Sequence, residues 1–233
     1  MHLKVKELEW HGEPLRRGRY KHSPGSVRLS QRERLLRAIV ECVARYGFDS
    51  TTVPMVVATA RVSSNAFYEF FTDKTDCFLA ACDTVASDLL AELVALTSEP
   101  DWIQATRKGM GVYLRWWQQR PAFARAYLLS LQSAGECAVE QRERTYMTFR
   151  AMFADLGRRA RVEQPDLPPL SPLVPRTLVL AITEIVAEEV RAGRTARLDE
   201  LEPELARLSI RLLADDITAA RACEHRGALE NTP

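Results

Sequence analysis

The chain has 233 residues, of which 46% are hydrophobic, so it can bury a sizeable core and hold one or two domains. Its 32 basic and 31 acidic residues nearly cancel, for a formal net charge of +1. No apolar run approaches the roughly 20 residues that a membrane helix needs, and the first residues lack the apolar centre of a signal peptide. We therefore predict a soluble, cytoplasmic protein with no membrane partner.

Histidine, the side chain most often used in acid–base catalysis and metal binding, is absent from the body of the chain. The four histidines all lie close to the two ends, as His2, His11, His22 and His225. The segment between Ser23 and Glu224 therefore has no imidazole for catalysis. No glycine-rich phosphate loop is present, and the five cysteines lack metal-ligand spacing. We predict a protein that is not an enzyme and holds neither cofactor nor metal.

The N-terminal residues 1–28 show no sustained apolar period and carry no acid after Glu13. Two interpretations, which do not exclude each other, remain open for this segment. One is a flexible, solvated leader. The other is a basic arm that orders on a DNA backbone or in a minor groove, with Arg16, Arg17 and Arg19 as its contacts.

The first predicted helix begins at Ser30, which is expected to cap it, and ends at Gly47. Apolar residues at helical spacing, such as Leu35, Ile39 and Val43, form its core face. Charged residues fill the remaining positions. This pattern predicts an amphipathic helix that packs on one side.

Two short helical segments joined by a brief turn follow Gly47. Thr52 is expected to cap the first, whose early Pro54 removes an N–H that would have no partner anyway. Ser63 is expected to cap the second, which runs to Phe71. This spacing predicts a helix-turn-helix, in which the second helix enters the major groove of DNA.

The second short helix divides into an inner and an outer side. Phe67 and Phe71 are four residues apart and are expected to hold the helix onto the body of the protein. This leaves nearer the other side Ser64, Asn65, Ala66, Tyr68 and Glu69. The predicted base contacts are Ser64, Asn65 and Ala66. The predicted phosphate contacts are Thr52, Tyr68 and Lys74, and the DNA-binding set also includes Ser63.

This segment resembles the DNA-binding part of the TetR family of transcriptional regulators. The residues that match the family pattern are Thr51, Thr52, Val53, Ala60, Val62, Ser63, Tyr68, Phe71 and Lys74. Arg61 and Asn65 replace common glycines, and Val57 replaces the usual alanine. An arginine in the turn costs little if its φ is not forced to positive values. The resemblance is strong over residues 30–85 and rests on architecture alone beyond them.

From Thr75 onward the apolar spacing stays helical and shows no strand-like alternation. The predicted helices cover residues 75–97, a segment from 101 to the Arg120–Pro121 break, a shorter segment to the Ser133–Gly135 break, a long segment to about Val162, and residues 175–192 and 202–221. Residues 164–175 hold five prolines and are predicted to form a loop. The fold class is therefore all-α, with about nine helices.

The resemblance implies four regions: a basic arm at 1–28, a DNA-binding domain at 29–84, a ligand-binding and dimerisation domain at 85–222, and a flexible tail at 223–233. It also implies that the protein binds double-stranded operator DNA as a homodimer, with the last two helices pairing between subunits. Those helices carry more apolar residues than one stripe packed within the subunit requires, which suits this role. The predicted interface residues are Leu178, Ile185, Leu205, Leu208 and Leu212.

The aromatic density of residues 102–153 is high enough to line a pocket as well as fill a core. We therefore predict a small apolar or amphipathic effector that releases the DNA. The candidate lining residues are Trp102, Met110, Tyr113, Leu114, Trp117, Phe123, Tyr127, Tyr146, Phe149, Phe153 and Ile182, with Glu184 as a possible charged contact. Two alternatives remain open: a DNA-binding regulator without a small-molecule ligand, and a redox sensor that uses its cysteines.

Overall fold

The computed structural model of the chain describes residues 24–214. Within this range the chain forms nine α-helices and three short 3-10 helices, and no strand, so the predicted all-α class is confirmed. The α-helices are α1 Pro24–Tyr46, α2 Val53–Ala60, α3 Ser64–Tyr68, α4 Lys74–Val94, α5 Trp102–Gln118, α6 Pro121–Ser130, α7 Glu136–Glu163, α8 Leu173–Arg191 and α9 Glu202–Ala214. None of these helices is long and apolar enough to cross a membrane.

The first helix begins earlier than predicted. It starts at Pro24, so Ser30 lies inside the helix and does not cap it. A proline suits the first turn of a helix because its missing N–H would have no partner there. Leu35, Ile39 and Val43 are buried, as their spacing predicts. The predicted arm contacts Arg16, Arg17 and Arg19 lie outside the described residues, as does the predicted tail.

Helix α1 is the centre of the N-terminal half. It packs against α2 and α4 and also against α6 of the second half. Arg125 on α6 strengthens this last contact, because its Nε donates a hydrogen bond to the carbonyl oxygen of Ala44, 3.0 Å away. The two halves therefore share one continuous core, which extends from Leu35 to Leu213.

Helix α5 is the centre of the second half. Asp101 caps it by accepting hydrogen bonds from the backbone N–H groups of Ile103 and Gln104. The helix packs against α4, α6, α7 and α9. Trp102 and Trp116 at its two ends are almost fully buried, so the whole length of the helix is packed into the core.

The proline-rich loop is shorter than predicted. It covers residues 164–172, and α8 begins at Leu173, so that Pro175 lies in the first turn of the helix. The same tolerance for proline at a helix start explains the difference. Helix α9 was predicted to reach residue 221. It is described to Ala214, and the remainder of the prediction lies outside the described residues.

Candidate functional site

Helix α3 is the exposed second helix of the helix-turn-helix. Ser63 caps it, because its Oγ accepts a hydrogen bond from the N–H of Ala66, 3.1 Å away. The helix ends at Tyr68, before the predicted end at Phe71. Phe67 and Phe71 are both buried, with ring centroids 5.7 Å apart, and they anchor the segment to the core.

The outer side of α3 carries most, but not all, of the predicted DNA contacts. Ser64 and Asn65 are exposed, and so is Tyr68. Ala66 is only 7% exposed, so its side chain does not face a base edge as predicted. The reason is helical geometry: Ala66 and Phe67 both fall on the inner side of this short helix.

Thr52 occupies the position before α2, with φ of −122° and ψ of 155°, as a capping residue does. Its side chain nevertheless makes no capping hydrogen bond, so the predicted cap is wrong in its chemistry. Thr52 is exposed beside the helix-turn-helix. Its position suits a phosphate contact better than a structural role.

The turn between α2 and α3 requires a left-handed residue. Arg61 has φ of 54° and ψ of 49°, so the condition under which arginine costs little there is not met. Arg34 on α1 supports this turn. Its Nη1 donates hydrogen bonds to the carbonyl oxygens of Ala60 and Arg61, each at 3.3 Å.

Lys74 at the start of α4 contacts the protein itself, which corrects its predicted phosphate role. Its Nζ lies 2.9, 3.2 and 3.0 Å from the carbonyl oxygens of Phe48, Asp49 and Thr51. An ammonium group has three donors, and these three acceptors occupy them all. Lys74 therefore ties the start of α4 to the loop between α1 and α2.

The N-terminus of α4 is further held by a reciprocal cap. Asp73 accepts a hydrogen bond from the N–H of Asp76 at 2.9 Å. Asp76 in turn accepts one from the N–H of Thr72, also at 2.9 Å. This cap fixes the first turn of α4, and Lys74 connects that turn to the loop between α1 and α2.

A cavity of about 350 Å³ lies in the second half of the protein. Helices α5, α7 and α8 surround it together with the C-terminal end of α4. Its volume falls in the range of small-molecule sites. The residues that line it are mostly apolar: Leu93, Leu96, Ala105, Thr106, Gly109, Met110, Tyr113, Thr148, Phe149, Ala151, Met152, Phe153, Asp155, Leu156, Arg159, Val179, Ile182 and Thr183.

Five of the predicted lining residues border this cavity, namely Met110, Tyr113, Phe149, Phe153 and Ile182. Four others surround a much smaller neighbouring space of about 20 Å³, namely Trp117, Phe123, Tyr127 and Tyr146. Three of the four, Trp117, Phe123 and Tyr127, belong to a packed aromatic cluster, in which the rings of Trp117 and Phe123 stack with centroids 5.8 Å apart.

Three predicted lining residues are placed elsewhere. Trp102 and Leu114 are buried in the core and do not border the cavity. Glu184 is exposed and pairs with Arg191, with 3.4 Å between Oε1 and Nη2. Its spacing from Ile182 turns it by two residues, about 200°, away from the cavity wall.

Several lining residues were missed by the sequence analysis. Thr106 and Gly109 are two of them, and with the predicted Met110 and Tyr113 they form one stripe of α5, at i, i+3, i+4 and i+7. Small and polar residues within an otherwise apolar helix were the available signal for this stripe. Burial raises the pKa of Tyr113 to about 12, so its phenol stays protonated and can donate a hydrogen bond.

The residues predicted to form the dimer interface differ in how far they are exposed on the surface of the subunit. Leu178 and Leu205 are buried within the subunit and therefore do not offer a surface to a second copy. Ile185 is partly buried against the same core. Leu208 and Leu212 on α9 are 40% and 38% exposed, so they remain available for an interface.

Two of the cysteines in the described part of the chain, Cys77 and Cys82, have thiols that burial makes less acidic. Burial raises the pKa of Cys77 to about 12 and raises the pKa of Cys82 well above its usual value. A raised pKa leaves less of the reactive thiolate. Cys137 is exposed, whereas Cys42 is buried.

A helix-turn-helix with a polar outer face, joined through one long helix to a helical body that contains a cavity, defines a DNA-binding transcriptional regulator. Residues 35–81 match the profile of the bacterial regulatory proteins of the tetR family. Over these residues the chain carries the DNA-binding part of the TetR family of transcriptional regulators, as the resemblance predicts.

Solved structures share the fold at low sequence identity. The fatty acid degradation regulator FadR from Bacillus halodurans has a TM-score of 0.69 and 14% identity, covering 78% of this chain and 97% of its own. FadR from Bacillus subtilis in complex with stearoyl-CoA has a TM-score of 0.69 and 13% identity, covering 76% of this chain and 96% of its own. A TetR transcription regulator from Haloarcula marismortui has a TM-score of 0.64 and 15% identity, covering 78% of this chain and 96% of its own. No curated protein matches the chain in sequence.

Proposed function

We propose that this protein is a repressor that binds a palindromic operator as a homodimer and releases it when a small apolar or amphipathic molecule fills the cavity. The observation that carries the proposal is the position of Leu93 and Leu96. Both border the cavity and lie at the C-terminal end of the helical segment that begins with Lys74. A ligand in the cavity therefore contacts the far end of the helix that holds the DNA-binding part.

Helix α4 is suited to carry this coupling. Its 21 residues span about 30 Å, from the helix-turn-helix to the cavity. Lys74 and the Asp73 cap hold its first turn to the DNA-binding part. A ligand that favours one orientation of α4 over another changes the distance between the two recognition helices of a dimer, and DNA binding weakens by the same free-energy difference.

The chemistry of the cavity supports an effector with a long apolar part. Leucine, methionine and phenylalanine side chains dominate its wall, and Tyr113 and the threonines supply a few polar atoms. A structural neighbour, FadR from Bacillus subtilis, was crystallised with stearoyl-CoA. We infer that an acyl chain is a suitable effector for this protein also.

The regions predicted from the sequence are retained in this proposal. Residues 29–84 bind DNA, and residues 85–222 bind the effector and form the dimer, while residues 1–28 supply the basic arm. The cavity favours this assignment over a regulator without a ligand, because a second domain without that role has no need of so large an apolar space. The raised thiol pKa values of Cys77 and Cys82 likewise weigh against a cysteine sensor.

Filling the cavity tests the proposal. A β-carbon at Gly109 would lie 3.9 Å from Cδ2 of Leu93, so a larger side chain there extends into the cavity. We expect Gly109→Leu to retain DNA binding and to lose its response to acyl compounds. Gln104→Leu, on the exposed side of the same helix, is the matched control and should respond normally.

The operator for this experiment is obtained by selection from a random DNA pool. Affinity for the selected DNA is then measured with and without acyl compounds of different chain length. A wild-type protein whose DNA affinity is unchanged by any compound that binds it would refute the regulatory role of the cavity. Equal responses of Gly109→Leu and Gln104→Leu would place the effector elsewhere.

A further inference from the structure

Arg159 on α7 is the cationic residue in the wall of the cavity. Its Nη2 donates hydrogen bonds to the carbonyl oxygens of Glu99 and Pro100, the second at 2.9 Å. These two residues form the connection between the 3-10 helix Ala95–Ser98 and α5. Arg159 therefore joins the cavity to the segment that directly follows α4.

The charge of Arg159 lacks a carboxylate partner among the ion pairs of the described residues. Asp155, the other charged residue of the cavity wall, pairs with Arg158. Glu99 pairs with Lys108. Carbonyl oxygens satisfy hydrogen bonds but do not neutralise a guanidinium, so a net positive charge remains at one side of an apolar cavity.

The geometry of the guanidinium leaves room for a ligand. Both hydrogen bonds to the connection use Nη2, so Nε and Nη1 remain as donors in the same plane. The N–H groups of Nε and Nη1 point to different sides of the guanidinium, so each can donate one charge-assisted hydrogen bond to a carboxylate or phosphate oxygen. A ligand anion can thus bind without breaking the contacts to Glu99 and Pro100.

We propose that Arg159 binds the anionic head group, a carboxylate or a phosphate, of an effector whose apolar chain lies in the cavity. This inference rests on the proposed function of the cavity and adds the chemistry of the head group. The effector is an anionic amphiphile and not a neutral hydrocarbon. Because the same guanidinium holds the carbonyls of Glu99 and Pro100, a bound head group is linked through one side chain to the end of α4.

The experiment compares three ligands with the same alkyl chain length: dodecanoate, dodecanoyl-CoA and dodecanol. Each is titrated by calorimetry below its micelle concentration into the wild-type protein, Arg159→Gln and Arg158→Gln. In the wild type, at least one of the two anionic ligands should bind about tenfold more tightly than dodecanol, because a charge-assisted hydrogen bond is lost with the alcohol. Tighter binding of dodecanoate would identify the head group as a carboxylate, and tighter binding of dodecanoyl-CoA would identify it as a phosphate.

The two variants separate a charge effect from a folding effect. Arg159→Gln should bind dodecanol as the wild type does but lose the preference for the anionic ligand. Arg158→Gln removes a neighbouring charge that pairs with Asp155 and should keep that preference. Dodecanol binding by Arg159→Gln, together with an unchanged melting temperature, shows that the variant is folded.

Three outcomes count against the inference, and they are distinguishable. If wild-type protein binds the alcohol as tightly as both anions, the head-group role is wrong while the cavity proposal stands. If Arg159→Gln keeps the full anion preference, another residue carries it. If none of the three ligands binds the wild type, the proposed function of the cavity fails, and this inference fails with it.

Discussion

Lys74 and Phe48 are 26 positions apart in sequence and in direct contact in the fold. The ammonium nitrogen of Lys74 lies 2.9 Å from the carbonyl oxygen of Phe48 and 4.5 Å from the centroid of its ring. The side chain thus combines charge-assisted hydrogen bonds with a cation–π contact. This relationship makes Lys74 part of the structure of the DNA-binding region.

Replacing Lys74 should therefore affect stability first. We expect Lys74→Met to lower the free energy of unfolding by about 2 kcal/mol, because the carbonyl oxygens of the α1–α2 loop lose a charged donor. Urea unfolding measures this loss. The salt dependence of DNA binding should keep its slope, since the ammonium does not neutralise a phosphate. A flatter slope with unchanged stability would restore the phosphate role.

Asn65 is the amide best placed to read DNA sequence. It is exposed on α3, and its carboxamide can pair with both N6 and N7 of an adenine. We expect Asn65→Ala to change the selected DNA sequence and to lose about 1–3 kcal/mol of discrimination at one base pair. Tyr68→Phe is the contrasting variant, because removing a phosphate-binding hydroxyl should weaken binding to all DNA sequences alike. If the selected sequence of Asn65→Ala equals that of the wild type, Asn65 does not contact a base.

Leu208 and Leu212 should determine the oligomeric state. Both are exposed on α9, and a symmetric pair of subunits is needed to read two half-sites about 34 Å apart. Replacing both with glutamate would bury like charges at the interface and should yield monomers in sedimentation experiments. Val139→Glu, at an exposed apolar position on α7, serves as the control. Dimers that persist in the double variant would locate the interface elsewhere.

Arg61 should be replaceable by glycine with a gain in stability. Its left-handed conformation costs an ordinary residue roughly 1–2 kcal/mol, whereas glycine adopts it freely. Glycine also increases the entropy of the unfolded chain, so we expect a net gain of about 0.5–1 kcal/mol. Urea unfolding of Arg61→Gly checks this value. A loss of stability would show that the arginine side chain makes a stabilising contact that outweighs the strain.

Local sequence signals were sufficient for much of the fold. Ser63 caps α3 as expected, and α5 begins next to Asp101, where a helix was predicted to start, since a cap depends on residues only two or three positions away. The same signals gave the wrong first residue for two helices that begin near a proline. Pro24 and Leu173 begin helices that were predicted to start later, because proline marks both the beginning of a helix and the end of a loop.

The resemblance of the DNA-binding part to the TetR family was likewise readable from residues close together in the chain. The chemistry of the sites was not, because it depends on distant segments. Lys74 finds its acceptors in another helix–helix loop, and Arg159 finds Glu99 and Pro100 about 60 positions earlier.

Helical spacing predicts which residues share one face of a helix, but it does not predict which other part of the protein that face contacts. For α5, only the packing of α7 and α8 decides that the stripe with Met110 and Tyr113 borders the cavity, while Trp102 and Leu114 are buried in solid core. For the last two helices, only packing separates the buried Leu205 from the exposed Leu208. The sequence by itself thus determined which helices form and which family its DNA-binding part resembles. The tertiary structure decided which side chains are free to bind, because burial is a property of the whole packed assembly of helices.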